Sequence, residues 1–254
     1  MRRIFSKVLL IFCFQTFAIY LFAQKYEFST QPTWSDEFNY RGFPDPTKWR
    51  IDIDKNPKGR GTHYVKSKRN VWVANGKLCL TITKDDEIIH SGRIQSTNIA
   101  VDYGRLDIRA KCPVTTGVWP ALYLRGSNRH PYFGEIDILE YWGKYNSNYL
   151  QTNYHVWGTF GGKKRNHIMH PKKIACDVSK YHVYSYINLP DSSLVQIDGK
   201  TVYTITKRDE PSWPFHRTAD IIFALAYIGN SQDDVKLPQT LKVDWVRYYR
   251  LKND

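Results

Sequence analysis

The sequence predicts an all-β domain built from two stacked sheets. Almost no segment sustains a helical period, and short runs rich in β-branched and aromatic residues recur between Gly, Pro, Asn and Asp. The length of 254 residues suits one large sandwich with a well-buried core. So many strands exceed what a single sheet holds comfortably, so two layers are expected.

The chain begins with a segment read as separate from that domain. MRRIFSK is a basic start, VLLIFCFQTFAIYLFA is apolar, and Ala23 precedes Gln24 as a cleavage site. Residues 1–23 are thus expected to be a signal peptide and residues 24–254 the working domain, in a periplasmic or extracellular location. Leu21 stands where a small residue is preferred, which keeps an uncleaved anchor as the minority reading.

Cleavage removes Arg2, Arg3 and Lys7 from a chain with a formal charge of +13, so the mature protein stays basic. That balance suits an anionic glycan or cell surface as well as simple solubility. The clusters Lys66–Arg69, Lys163–Arg165 and Lys172–Lys173 are short and scattered, so no nucleic-acid groove is expected. Cys79, Cys112 and Cys176 are odd in number and widely spaced. They make neither a zinc site nor a disulfide framework, and they read as packing residues with one disulfide at most.

The clearest hairpin is Val71–Val73 with Leu78–Thr83, joined at Asn75-Gly76, the pair favoured in a type I′ turn. Further strands are expected at Gly104–Lys111, Val118–Arg125, Glu135–Trp142, Leu150–Trp157, His182–Asn188, Leu194–Ile197, Ile221–Ala226 and Leu241–Leu251. The stretch from Gly158 to Lys180, rich in Gly, Lys and His, reads as a surface loop, either plain solvated chain or the border of a binding site.

One strand carries the chemistry. Gly134-Glu135-Ile136-Asp137-Ile138-Leu139-Glu140 puts three carboxylates in six residues of strongly β-forming sequence. Alternation turns Glu135 and Asp137 to one face and Glu140 to the other. A β-bulge at Ile138-Leu139 would shift the phase and return Glu140 to the shared face. Three like charges there are costly, and at least one must have a raised pKa. A retaining glycosidase needs that inequality: one carboxylate ionised as nucleophile, one carboxyl protonated as general acid, and Asp137 between them to share a proton with Glu135. An acidic solvent-facing strand would instead interleave lysines, and none occurs. Sugar rings also need flat aromatic platforms, and the chain has eight tryptophans. Trp119 and Tyr123 share strand parity, as do Trp142 and Glu140. Trp34, Trp49, Trp157 and Trp245 read equally well as core.

These residues resemble glycoside hydrolase family 16, in the laminarinase-like branch with a bulged E-x-D-x-x-E motif. The likeness covers most of residues 24–254. It includes Trp34-Ser35-Asp36-Glu37-Phe38, Tyr103–Lys111, Trp119-Pro120-Ala121, Gly134–Glu140, His155, Tyr181–Tyr184, Ile197–Lys200 and Val243–Tyr249. The resemblance implies a β-jelly-roll sandwich of two antiparallel sheets with a concave cleft, acting on internal β-1,3 or β-1,4 linkages with retention. It implies Glu135 as nucleophile, Asp137 as its assistant and Glu140 as acid/base. It further implies His155 beside Glu140 and Arg93 reaching sugar hydroxyls. Catalysis by this scheme needs no cofactor. A structural calcium belongs to the resemblance, at Glu37, Gly76 and Asp244.

Several positions depart from the pattern. Arg60-Gly61-Thr62-His63-Tyr64 replaces an Asn-Asn-Glu-type stretch, Tyr123 replaces a tryptophan, and Ser127–Tyr132 forms an unusual approach to the motif. A laminarin-like β-glucan is the favoured substrate, with a sulfated or galactose-based glycan of keratan, agar or porphyran type as the alternative. A non-catalytic carbohydrate-binding protein is the rival from another class, and transglycosylation a variant within the enzyme class. A monomer with a polysaccharide partner, and no membrane partner beyond the export signal, is expected.

Overall fold

The computed structural model describes residues 26–54, 61–86, 88–99, 101–126, 132–143, 148–160, 163–210, 213–216, 218–229 and 236–252. The expected signal peptide, Arg60 and Ser127–Pro131 lie outside them, and no helix among the described residues is long and apolar enough to cross a membrane.

Two sheets face each other. The larger runs β15 (Lys200–Thr206), β14 (Ser192–Ile197), β13 (His182–Asn188), β8 (Gly104–Lys111), β17 (Gln239–Arg250), β5 (Lys77–Asp85), β6 (Ile88–Ser91) and β3 (Thr62–Tyr64). Beside this path, β1 (Trp34–Asp36) pairs with β17 and β4 (Val71–Ala74) with β5. The smaller sheet is ordered β12 (Lys163–Ala175), β11 (Tyr149–Phe160), β10 (Tyr132–Glu140), β9 (Val118–Gly126), β16 (Ala219–Tyr227), β7 (Arg93–Ser96) and β2 (Trp49–Ile51). Pairing is antiparallel throughout the described strands except between β3 and β6, which run parallel.

Alternation decides what lies between the sheets. Leu78, Leu80 and Ile82 of β5 turn inward at every second position, as do Leu106 and Ile108 of β8. They meet Leu122 and Leu124 of β9, Ile136 of β10, and Ile221, Phe223 and Leu225 of β16 in one continuous core. Asn75 and Gly76 take positive φ of 53° and 67° and close the β4–β5 hairpin, as the Asn-Gly pair predicts.

The segment from Gly158 to Lys180 corrects the sequence reading. Most of it is strand: β12 pairs with β11 from Tyr149↔Ala175 to Phe160↔Lys163. β12 is an edge strand, where Lys, His and even Pro171 are tolerated because one side needs no ladder bonds. Edge chemistry thus disguised a strand as a loop. The short strands β1, β2, β3, β6 and β7, and the hairpin partner β15, also escaped the pattern.

β10 packs closely at its start against a buried aromatic ring. A Cβ added at Gly134 would stand 2.7 Å from Cε1 of Phe215 and 3.3 Å from the carbonyl of His155. Phe215 is buried in the short 3-10 turn Pro214–His216, beneath the start of β10. Gly134→Ala should destabilise the protein by about 1–3 kcal/mol through overpacking, lowering Tm by several degrees in thermal denaturation.

Candidate functional site

β10 lies between β9 and β11, and its pairing contains the bulge. Glu135 faces Arg125 and Asp137 faces Tyr123, but the next partners are Leu139↔Leu122 and Glu140↔Ala121. Against β11 the pairing also slips, from Asp137↔Asn153 to Glu140↔Gln151. One extra residue on β10 therefore restores Glu140 to the face of Glu135 and Asp137, and all three line one cleft. The hydroxyl of the fully buried Thr152 donates to the Asp137 carbonyl at 2.6 Å, satisfying main chain that the bulge leaves out of register.

The three carboxyls sit in unequal surroundings. The Glu135 side chain is about one-fifth exposed, with the Arg125 guanidinium 3.7 Å away. Asp137 and Glu140 are buried, at 3% and 7% exposure. Trp119 Nε1 donates to Glu140 Oε1 at 3.1 Å. Burial, reinforced by the Asp137 charge, pushes Glu140 up to about 8, although His155 and the Trp119 bond pull the other way. Burial and the Glu135 charge likewise raise Asp137 well above the carboxylate range, opposed by a hydrogen bond with Glu140. Both Asp137 and Glu140 are thus held toward their protonated forms, and the hydrogen bond between them requires at least one proton on the pair.

The bonds around Asp137 differ in detail from the expectation. Its hydrogen bonds run to Glu140 and to His155, whose Nε2 lies 2.8 Å from Asp137 Oδ2, while Glu135 acts on it through charge. His155 faces Glu135 across the ladder and touches the acid pair through Asp137, with its influence on Glu140 coulombic. Burial lowers the His155 pKa, so the ring is neutral at pH 7.

The aromatic and cationic residues are brought together in part. Trp119, Tyr123 and Arg93 line the cleft with the carboxyls. Arg93 is held by Asp52 at 2.9 Å and lies over the Tyr64 ring at 4.4 Å. Trp142 instead stacks on Trp119, centroids 4.5 Å apart, and backs that ring rather than lining the pocket around the carboxyls. Trp157 belongs to the cleft, contrary to a core assignment, and so do Tyr64 and Arg125. Strand parity could have found two of them, since Trp157 is two residues from His155 and Arg125 two from Tyr123. Of the other tryptophans, Trp49 is core at 2% exposure, and Trp245 lies under the Arg247 guanidinium. Between the aromatic walls the floor is small: Ala224 of β16 pairs with Ala121, and Ala226 with Trp119.

The positions matched to a calcium do not fit one. Both oxygens of Glu37 accept from Arg247 at 2.9 Å, and Asp244 is bonded to Arg109 and lies 3.3 Å from Lys77. These carboxylates already have their cations. Gly76 serves the hairpin turn. Among the described residues, Glu135, Asp137 and His155 bring one donor atom each within 4.8 Å of one another. Two of those atoms, His155 Nε2 and Asp137 Oδ2, are bonded to each other at 2.8 Å. Cys79, Cys112 and Cys176 are free thiols, Cys112 buried and the other two half-buried.

The family described as Glycosyl hydrolases family 16 matches residues 58–247, more than half of the chain. Glucan endo-1,3-beta-glucosidase A1 of Niallia circulans is 29% identical over 259 residues, spanning 85% of this chain and 37% of that protein. The chain thus covers little more than a third of that relative. Beta-glucanase of Rhodothermus marinus is 29% identical over 247 residues, covering 85% of this chain and 84% of that one. The X-ray structure of the laminarinase from Rhodothermus marinus superposes with a TM-score of 0.75 at 25% identity, over 91% of this chain and 100% of that one.

Proposed function

Because the chain belongs to glycosyl hydrolase family 16, a family of endo-acting glycoside hydrolases here, we propose that it cuts internal β-1,3 or β-1,4 linkages of a laminarin-like β-glucan with retention of configuration. The observation that carries the reading is the bulge, which gathers Glu135, Asp137 and Glu140 on one cleft wall, where burial and the Asp137 charge push Glu140 up to about 8.

In the reaction, Glu140 gives its proton to the glycosidic oxygen while a Glu135 oxygen attacks the anomeric carbon, so the C–O bond to the leaving sugar breaks as the ester to Glu135 forms. Glu140, now ionised, takes a proton from water. The hydroxide equivalent attacks the same carbon, releases Glu135 as carboxylate and restores the acid. Two displacements on one carbon retain its configuration. Trp119 and Tyr123 serve as platforms for the rings, and Arg93 as a donor to hydroxyls.

The charge pattern beside the catalytic pocket favours a neutral polymer. Arg50 lies 3.1 Å from Asp52, Arg93 pairs with Asp52 and approaches Asp54 at 3.8 Å, and Arg125 sits beside Glu135. Each arginine of the cleft extension has a carboxylate partner, so the groove presents little net field to a sulfate. We further propose that residues 1–23 export a monomer, which places the enzyme beside a polymer too large to enter a cell.

A reducing-end assay on laminarin, mixed-linkage glucan, agarose, porphyran and keratan sulfate tests the substrate. Laminarin or mixed-linkage glucan should give the highest kcat/KM. A preference for the sulfated or galactose-based chains would overturn the β-glucan reading, and inactivity on every polymer would overturn catalysis in favour of a glycan-binding role.

A further inference from the structure

Beside the cleft, against Trp157, stands a second histidine to which the mechanism above gives no task. His167 of β12 bonds through Nε2 to Nδ1 of His155 at 2.6 Å. Its ring is stacked on His155 at 4.8 Å and 17°, and on Trp157 at 4.7 Å and 8°. His155 in turn bonds Asp137, and Asp137 bonds Glu140. An unbroken file of side chains therefore joins the exposed His167 to the buried acid.

A neutral imidazole has one N–H, so each ring in the file must donate on one side and accept on the other. Burial disfavours a charge on Asp137, and with one proton on the pair only acceptance from both neighbours, the Glu140 hydroxyl and His155 Nε2–H, holds that charge there. Nδ1 of His155 is then bare, and His167 must donate to it. Asn153 agrees with this polarity only with its side-chain amide turned over, because the Nδ2 that faces His155 Nε2 would donate to a bare nitrogen. Its amide lies 2.8 Å from His155 Nε2, and its buried Oδ1 has no partner as placed. A half-turn of the amide points that oxygen at Nε2–H.

We propose that His167 is a positioning residue for the general acid: its Nε2–H fixes the His155 tautomer that donates to Asp137, and so keeps the proton of the buried pair on Glu140. Without that donor His155 is free to place its hydrogen on Nδ1, turning a bare Nε2 to Asp137. Asp137 then takes up the proton, its charge no longer holds one on Glu140, and the acid ionises at lower pH. Among the described residues, the other charged groups near the file are Glu135, opposite His155, and Arg125 beside Glu135, and neither changes in the variants below.

The proposal rests on Glu140 being the acid, and two substitutions test it. His167→Phe keeps a flat ring in the stack but has no donor, whereas His167→Gln has a donor and no ring. His167→Phe should lower kcat on the order of tenfold, a fraction of what general acid catalysis supplies. Its KM should stay within about twofold and its basic limb should move to lower pH, while His167→Gln keeps the wild-type pH profile. A wild-type profile for His167→Phe, or loss of activity in both variants with an unmoved basic limb, would show a packing role and overturn the proposal. Nitrogen-15 spectra of His155 give a second reading that needs no substrate. They should show Nε2–H in the wild type and a tautomer mixture in His167→Phe, and an unchanged tautomer would sink the idea even if no polysaccharide is cleaved.

Discussion

Glu135→Gln should abolish turnover, with kcat reduced at least ~10³-fold, while glycan binding stays within a few-fold of the parent. Gln has nearly the volume of Glu, so the β10–β9 pairing and the cleft wall should survive the change. What is lost is the lone-pair charge that attacks the anomeric carbon, and an amide cannot supply it. Small anions separate this loss from misfolding. In Glu135→Ala, azide can enter the vacated space from the face Glu135 uses, so activity on an activated aryl glycoside should return with a glycosyl azide of inverted configuration. Chromatography and NMR of the product check this outcome. If Glu135→Gln kept near-normal rates, the nucleophile would have to be another residue.

Glu140→Gln should cost about 10²–10⁴-fold on a polysaccharide and far less on a dinitrophenyl glycoside, whose leaving group needs no proton. The contrast between the two substrates identifies an acid. The same residue sets the alkaline edge: Glu140 titrates at about 8, because burial and the Asp137 charge disfavour its ionised form, so the rate should fall as pH rises through 8. Stability follows with a definite sign. A carboxyl whose folded pKa exceeds its unfolded value holds its proton more tightly in the native state, so the native state loses ground as pH climbs from the unfolded pKa to about 8. His155 and His167, both lowered by burial, work in the opposite direction, but only below their ordinary value of 6.5. Between pH 6.5 and 8 the carboxyl effect therefore stands clear, at up to about 1.4 kcal/mol per pH unit. Urea denaturation across that interval should show falling stability in the parent and a flatter curve in Glu140→Gln. Equal slopes would mean that Glu140 is ionised throughout.

Much of the site was legible because its chemistry is local. Glu135, Asp137 and Glu140 lie on one strand, and a carboxylate on the wrong parity could only be useful if the strand bulged, which it does between Asp137 and Leu139. What escaped depended on neighbours remote in sequence. Trp157 has the composition of a core residue, and only its parity with His155 places it in the cleft. His167 was hidden because β12 carries edge-strand polarity, which reads as loop. β15 was missed although Asp198 and Gly199 take positive φ of 49° and 78°, the same two-residue turn signal that identified the β4–β5 hairpin. At the positions matched to a calcium the residue types are present, but Glu37 is paired with Arg247, and Asp244 with Arg109 and Lys77. A residue match records what one position offers and says nothing about who else reaches it.

The alanines that share the cleft with the carboxyls would limit how deep a pyranose could settle between them. Ala121, Ala224 and Ala226 have no side-chain torsion that could raise or lower the seat, so its height is that of the sheet backbone. A ring resting there loses no freedom on the protein's behalf. Such a ring would meet Glu135 and Glu140 at a depth set by the β9–β16 ladder, which runs from Ala219↔Gly126 to Tyr227↔Val118.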